Sequence, residues 1–193
     1  MIAHFDEVLA AARQGDEASF VELFRTTQPA LLRYLRTLGG ALADDAASDT
    51  WLSVVKSLDR FEGDEAGWRA WVFTIGHARL RDAQRRAMRI PIPVEVDASD
   101  DGLEPVRDVA DEVEQIYSTE AALDVIRRLP SDQAAVILLR HVAGLDVAET
   151  ARVLGKRPGT VRVTAHRALR RLGQLMAQES GVHGDDAVTR VRR

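Results

Sequence analysis

The 193-residue chain has no cysteine, which excludes disulfides, thiolate zinc sites and thiol switches within it. No apolar run approaches the roughly 18 residues that would cross a bilayer, so no membrane insertion is expected. The start, MIAHFDEVLAAARQGDE, lacks a basic opening followed by an apolar stretch. It does not read as a secretory signal, and a cytoplasmic protein is expected. Strand-type alternation is missing at any useful length, and helical periodicity dominates. Paired catalytic carboxylates, a Ser-His-Asp set and a Gly-rich phosphate loop are also lacking. His4, His77, His141 and His183 show no ligand spacing. Nothing supports an enzyme, a metal site or a cofactor.

One further absence is local and informative. From Arg152 to Gln178 there is no acidic residue, although the whole chain carries a net charge of −4. The charge is therefore segregated. Arg69 to Arg89 holds six Arg and one acid, Asp82, whereas Pro91 to Glu120 holds ten acids and one base, Arg107. Two basic helical modules around an acidic connector suggest two contacts with nucleic acid.

The stretch Leu145 to Leu172, LDVAETARVLGKRPGTVRVTAHRALRRL, reads as two helices joined by a tight turn. Asp146 and Glu149 have capping-box spacing, with Asp in the place of Ser or Thr. Ala148, Ala151 and Leu154 form a short apolar stripe. Gly155 can take the positive φ that ends a helix, and Pro158 suits a first turn. In the second helix, Val161, Ala165, Ala168, Leu169, Leu172 and Met176 are expected inside. Arg162, His166, Arg167, Arg170 and Arg171 fall on the other side. This is the pattern of a helix-turn-helix, whose second helix lies in the major groove of DNA.

Elsewhere, Phe5, Val8, Leu9 and Ala12 predict a first helix ending near Gly15. Phe20 to Leu38 predicts a second, kinked or divided by Pro29 and stopped by Gly39-Gly40. Asp44 to Leu58 predicts a third, with acids at its start that suit the helix dipole. Its face of Trp51, Leu52, Val55 and Leu58 is expected in the core. Phe61 to Gly67 reads as a polar loop, and Trp68 to about Met88 as a fourth helix. Ile90 to about Val113 holds three of the six prolines and a dense acidic run, and should be extended or disordered. Helices resume from about Val113 to Arg128 and again over Asp132 to His141, with Ser131 as N-cap. The tail GVHGDDAVTRVRR is expected to be loose.

Three segments, in order, carry a family resemblance. DDAASDTWLSVVKSLDRFEG, at Asp44 to Gly63, is similar to DAEDLVQETFLRAWRALDRF. WRAWVFTIGHARLRDAQRR, at Trp68 to Arg86, is similar to WLFRIARNRAIDxxRR. RVLGKRPGTVRVTAHRALRRL, at Arg152 to Leu172, is similar to LGxSxGTVKSRLHRARxxL. Over nearly its whole length the chain resembles the bacterial extracytoplasmic-function (ECF, group 4) RNA polymerase sigma factors of the sigma-70 family. It departs from their pattern at Ser48-Asp49 (usually Gln-Glu), His77 (Arg), Ala78 (Asn), Arg157 (an N-cap Ser) and Thr164 (often Arg).

The resemblance implies an all-helical protein of two small domains. Residues 1–89 would be a region 2-like domain for core polymerase and the −10 element, and 90–113 an acidic flexible linker. Residues 114–178 would be a region 4-like helix-turn-helix domain for the −35 element, and 179–193 a flexible tail. It implies a factor that places core RNA polymerase on a promoter and helps open the duplex, without covalent chemistry. The implied partners are core RNA polymerase, through its β′ clamp helices and β flap, promoter DNA, and an anti-sigma factor that covers both DNA-binding modules.

The implied polymerase contacts are Asp44, Asp45, Ser48, Asp49, Trp51 and Leu52. At the −10 element they are Phe61, Glu62, Gly63, Asp64, Trp68, Arg69, Trp71, His77, Arg79, Arg81, Arg85 and Arg86. The loop at Phe61 to Gly67 is where relatives capture a flipped base. Trp68 and Trp71 could stack on unpaired bases, but they share a stripe with Val72 and Ile75 and are better placed for the core. At the −35 element the implied contacts are Lys156, Arg157, Thr160, Arg162, Val163, His166, Arg167, Arg170 and Arg171. Arg162 is best placed for guanine edges, and Arg167, Arg170 and Arg171 for phosphates. The acidic linker is either a polyanion drawn to basic channels of the polymerase or a plain spacer. From the residues alone, a stand-alone helix-turn-helix regulator with a helical sensor domain, or a helical adaptor, remains open.

Overall fold

The computed structural model describes residues 2–89 and 120–185, with side chains as far as 178. The expected linker and the end of the tail lie outside the described residues. Eight α-helices appear in chain order among those described: α1 Phe5–Arg13, α2 Glu17–Gly39, α3 Ala43–Ser57, α4 Glu65–Arg89, α5 over 120–127, α6 Ser131–Ile137, α7 Val147–Leu154 and α8 Pro158–Asp185.

The first four helices pack around α2 and α4. Leu23, Leu31, Tyr34 and Leu35 of α2 meet Trp68, Val72, Phe73 and Leu80 of α4, with Ala46, Ala47 and Val54 of α3 closing the core. Gly76 permits close approach of α2 and α4. A Cβ there would lie 2.8 Å from Leu31 Cδ1. Asp16 caps α2 by accepting from the Ser19 N–H at 2.8 Å.

Several expected boundaries move. Pro29 neither divides nor ends α2, which runs unbroken through it. The ring is exposed, so water can satisfy the carbonyl that loses its N–H partner. The fourth helix begins at Glu65, inside the expected loop. Asp64 starts it, accepting from the Gly67 N–H at 2.8 Å through its carboxylate and from the Trp68 N–H at 2.8 Å through its carbonyl. Ser131 is the first residue of α6, not its cap; Pro130 holds the N-cap position without a side-chain bond. Beyond Ile137 the helix widens into a π turn over Leu138–Val142, with the Ala143 N–H donating to the Leu138 carbonyl at 2.9 Å. The long α8 continues to Asp185, so residues 179–185 of the expected flexible tail are helical.

Helices α5 to α8 form the second module. Val136, Ala151 and Val161 interlock α6, α7 and α8. The two modules touch: α4 packs against α7, and α2 against α6.

Candidate nucleic-acid interface

The turn between α7 and α8 is built from local rules. The Asp146 carboxylate accepts from the Glu149 N–H at 2.7 Å, and the Glu149 carboxylate accepts from the Asp146 N–H at 2.7 Å. This reciprocal box satisfies two free donors at the helix start. Gly155 closes α7 in the left-handed region, at φ 61° and ψ 33°. The Lys156 N–H then donates to the Ala151 carbonyl at 2.9 Å. This is the return bond of a glycine-terminated helix.

That turn fixes which face of α8 points outward. Val161, Thr164 and Ala168 are buried, spaced three and four apart. Arg157, Thr160, Arg162, Val163, His166, Arg167, Arg170 and Arg171 are all exposed. Lys156 is half-buried, 3.9 Å from the Asp132 carboxylate. The inward assignment of Leu169 and Met176 is overturned, since they are 51% and 59% exposed. Ala148, read as part of the α7 stripe, is also exposed, while Thr150 and Val153 are buried. Each of these residues lies about one position away from the face that packs, a rotation of about 100° on a helix.

The basic residues of α4 are arranged differently, because several are already engaged. Arg69 is paired with Glu65 at 2.9 Å, and Arg79 donates to Ser53 Oγ at 2.9 Å. Arg85 is paired with Asp82, and Arg86 lies 3.9 Å from Asp49. The Arg85 hydrogen bond holds the Asp82 carboxyl below its usual value. Arg79, Arg85 and Arg86, with Arg89, line one shallow basin that also includes Asp49 and Asp82. Arg81 is exposed on another side and lines a cleft toward the second module. His77 is half-buried, with Tyr34 Oη 2.7 Å from its Nδ1. Burial, then the charges of Arg81 and Lys156, lower its pKa from 6.5.

The aromatic residues divide. Trp68 has no exposed surface, and its Nε1–H donates to Thr27 Oγ1 at 3.0 Å. Phe61 is buried against both Trp68 and Trp71, with ring centroids 5.5 and 5.0 Å apart. Neither Trp68 nor Phe61 is open to a base. Trp71 is half-buried and shares a surface pocket with Arg60, Phe61, Glu62, Gly67 and Thr74. Glu62 and Gly63 are exposed, and Asp64 serves as the α4 cap. Arg13 donates to the Phe61 carbonyl and so ties α1 to this loop. Sequence reasoning missed Arg13, Ser53 and Thr27, because each acts across more than 25 residues and leaves no local pattern.

On α3, Asp44, Asp45 and Ser48 are exposed and Asp49 is half-buried. Leu52 and Val55, expected in the core, are instead 58% and 56% exposed. Trp51 is buried between Phe20 and Phe24, with Nε1–H donating to Gln28 Oε1 at 2.6 Å. Trp51 therefore packs the module and cannot itself meet a partner. The exposed strip runs Asp45, Ser48, Leu52, Val55, with acid at one end and bare aliphatic surface at the other.

Comparison with known proteins agrees with this two-module arrangement. The sequence pattern described as Sigma-70 region 2 matches residues 23–90, and that of Sigma-70, region 4 matches 119–172. Fold and site together define a sigma-type initiation protein. The ECF RNA polymerase sigma factor BldN of Streptomyces coelicolor is 31% identical over 180 residues, covering 92% of this chain and 68% of BldN. ShbA of Streptomyces griseus, also an ECF sigma factor, is 32% identical over 176 residues, covering 86% of this chain and 92% of ShbA. The chain shares its fold, at a TM-score of 0.61 and 23% identity, with the sigma factor RpoE of Bartonella quintana in complex with the anti-sigma factor NepR. That match covers 82% of this chain and 96% of RpoE. The chain belongs to the ECF RNA polymerase sigma factors. It is accordingly a transcription initiation factor and not an enzyme. Membership removes the stand-alone regulator and the helical adaptor that the residues alone left open.

Proposed function

We propose that this factor docks on core polymerase through the exposed strip of α3, meets the −10 element with α4 and its preceding loop, and reads the −35 element with α8. The observation that carries the reading is the exposed face of α8. Eight candidate residues lie open on the turn and the first half of α8, behind the Gly155 turn that ends the capped helix α7. Arg162, one turn into that helix, is suited to a guanine edge. Arg167, Arg170 and Arg171 are suited to phosphates, which fix position without reading sequence.

At the −10 element, Trp71 with Glu62 and Gly63 is the part of the loop still able to meet an unstacked base. Arg79, Arg81, Arg85 and Arg86 supply positive charge, with Arg69 reserved for its pair with Glu65. On α3, Asp45, Ser48 and Leu52 with Val55 form the docking strip, and Asp44 and Asp49 add charge beside it. The working division remains 1–89, 90–113, 114–178 and 179–193, with the clamp helices of β′ and the flap of β as polymerase contacts. We place the protein in the cytoplasm, consistent with the lack of any helix long and apolar enough to cross a membrane among the described residues. An anti-sigma partner is part of the proposal, by analogy with the RpoE–NepR complex.

The test is competition with the housekeeping sigma factor for purified core RNA polymerase, without DNA. Displacement at sub-micromolar concentration supports the docking strip. A folded protein that does not displace would sink it.

A further inference from the structure

The loop that leads into α4 is held at both ends by the start of the chain. At its near end, Arg13, the last residue of α1, donates through Nε to the Leu58 carbonyl at 3.4 Å and through its terminal guanidinium nitrogen to the Phe61 carbonyl. At its far end, the Ile2 N–H donates to one oxygen of the Glu65 carboxylate at 3.2 Å, and the other oxygen accepts from Arg69 at 2.9 Å. Segment 2–13 is itself fixed to the first module. Ile2, Phe5, Leu9 and Ala12 are buried in its core, and α1 packs along α2. This segment precedes the matched region 2 pattern, which begins at residue 23.

The loop benefits from such support. From Phe61 to Asp64 the backbone is irregular, and Gly63 sits at φ 148°. Glycine loses more conformational freedom on being fixed than any other residue. A Cβ at Gly63 would lie 3.2 Å from Phe61 Cζ, so the turn folds closely over the Phe61 ring. Internal bonds secure the joins to the neighbouring helices: the Phe61 N–H donates to the Leu58 carbonyl at 3.2 Å, and Asp64 caps α4. The Phe61 carbonyl, inside the loop, is taken by Arg13. A guanidinium presents its donors in a rigid plane, so one side chain can fix two carbonyls at once. With the backbone so held, exposed Glu62 and half-buried Trp71 line the same surface pocket.

We infer that Arg13 is a positioning residue for single-strand capture: from α1 it sets the loop that presents Glu62 and Trp71 to an unstacked base. The inference rests on the proposed assignment of that loop to the −10 element. Without the brace the loop samples other conformations, and the apparent affinity for the strand falls by the fraction that remains competent. Arg13 acts through the loop backbone and not by touching nucleic acid. It lies at the exposed end of α1, so replacing it removes no core side chain.

The test uses holoenzyme assembled from core polymerase and the full-length protein. The probe is a fluorescent single-stranded oligonucleotide carrying the non-template −10 region of a promoter that wild-type holoenzyme selects from a random duplex pool. Arg13→Ala is expected to bind it about tenfold more weakly, with the dependence of log affinity on log salt unchanged. Affinity for core polymerase and for −35 duplex should stay at the wild-type value. Strand affinity equal to wild type overturns the brace. So does a loss shared equally by core and −35 binding, which marks a general loss of folded protein. A lowered salt dependence overturns it too, since Arg13 would then be a phosphate contact. Arg13→Lys keeps the charge but not the planar fork, and is expected to lose about threefold or more; wild-type affinity for it overturns the hold on two carbonyls. Failure of the underlying reading looks different: Trp71→Ala and wild type then bind the strand equally, and the loop assignment falls with the brace.

Discussion

Tyr34 Oη lies 2.7 Å from His77 Nδ1, joining the middle of α2 to the middle of α4. Tyr34 is fully buried, and burial pushes its phenol pKa well up. The neutral hydroxyl shares a hydrogen bond with an imidazole whose neutral form the fold favours, by burial first and then by Arg81 and Lys156. The folded-state pKa of His77 is below 6.5, so the unfolded chain takes up this proton first as pH falls. Stability is intact above 6.5 and is lost progressively as pH drops from there toward the folded-state value. His77→Gln, whose amide can still hydrogen-bond Tyr34, is expected to flatten the melting-temperature profile between about pH 8 and pH 5. Parallel profiles for the two proteins would refute a role for this histidine.

The proposed docking strip on α3 makes a prediction that separates surface from core. Leu52→Glu changes an exposed side chain, so stability should move by no more than about 0.5 kcal/mol, while affinity for core polymerase falls. Trp51→Ala removes a buried ring and its bond to Gln28, and should cost about 3–5 kcal/mol of folding stability. Urea denaturation and polymerase competition, run on both variants, check the pair. Equal polymerase affinity for Leu52→Glu and wild type would move the docking face elsewhere.

These two neighbouring residues also show what can be read from sequence. Apolar periodicity announces that α3 is amphipathic, but Trp51, Val54 and Leu58 on one side and Leu52 and Val55 on the other are both acceptable helical stripes. Only the position of Phe20, Phe24 and Gln28 on α2 decides between them, and that is a tertiary fact. Leu169 and Met176 on α8 pose the same ambiguity, resolved by the burial of Thr164 and Ala168. Local grammar was far more legible. Asp146, Glu149 and Gly155 act through bonds within three or four residues, and the box and the left-handed turn are where the spacing puts them. Pro29 is less disruptive than its residue type implies, because its cost depends on whether water reaches the ring and the freed carbonyl. The contact of α4 with α7 joins positions far apart in the chain and had no sequence signature.

The capping box gives a third prediction. Asp146→Ala removes the acceptor for the Glu149 N–H and should cost about 0.5–2 kcal/mol. Since α7 sets the approach of α8, affinity for −35 DNA should fall together with stability. Asp146→Asn retains an acceptor oxygen and should restore most of both. Thermal unfolding and fluorescence anisotropy on the same preparations test this. An alanine variant as stable as wild type would mean the box contributes little.

On α8 itself, side chains on one exposed face should differ in what they do for DNA. Arg162→Ala is expected to cost about 1–3 kcal/mol on the cognate −35 element and to relax discrimination at one base pair. Arg171→Ala, further along the helix, should weaken binding to cognate and scrambled elements alike. It should also lower the dependence of log affinity on log salt by about one contact. Both residues are exposed, so neither change should disturb the fold, and melting temperatures serve as the control. Anisotropy titrations at several salt concentrations, with a panel of single-base-pair variants of the element, distinguish the two behaviours. If Arg162→Ala weakened every sequence equally, base readout would have to be reassigned. Thr160, Val163 and His166 are the remaining exposed candidates near the start of the helix, and the same panel would show which of them carries it.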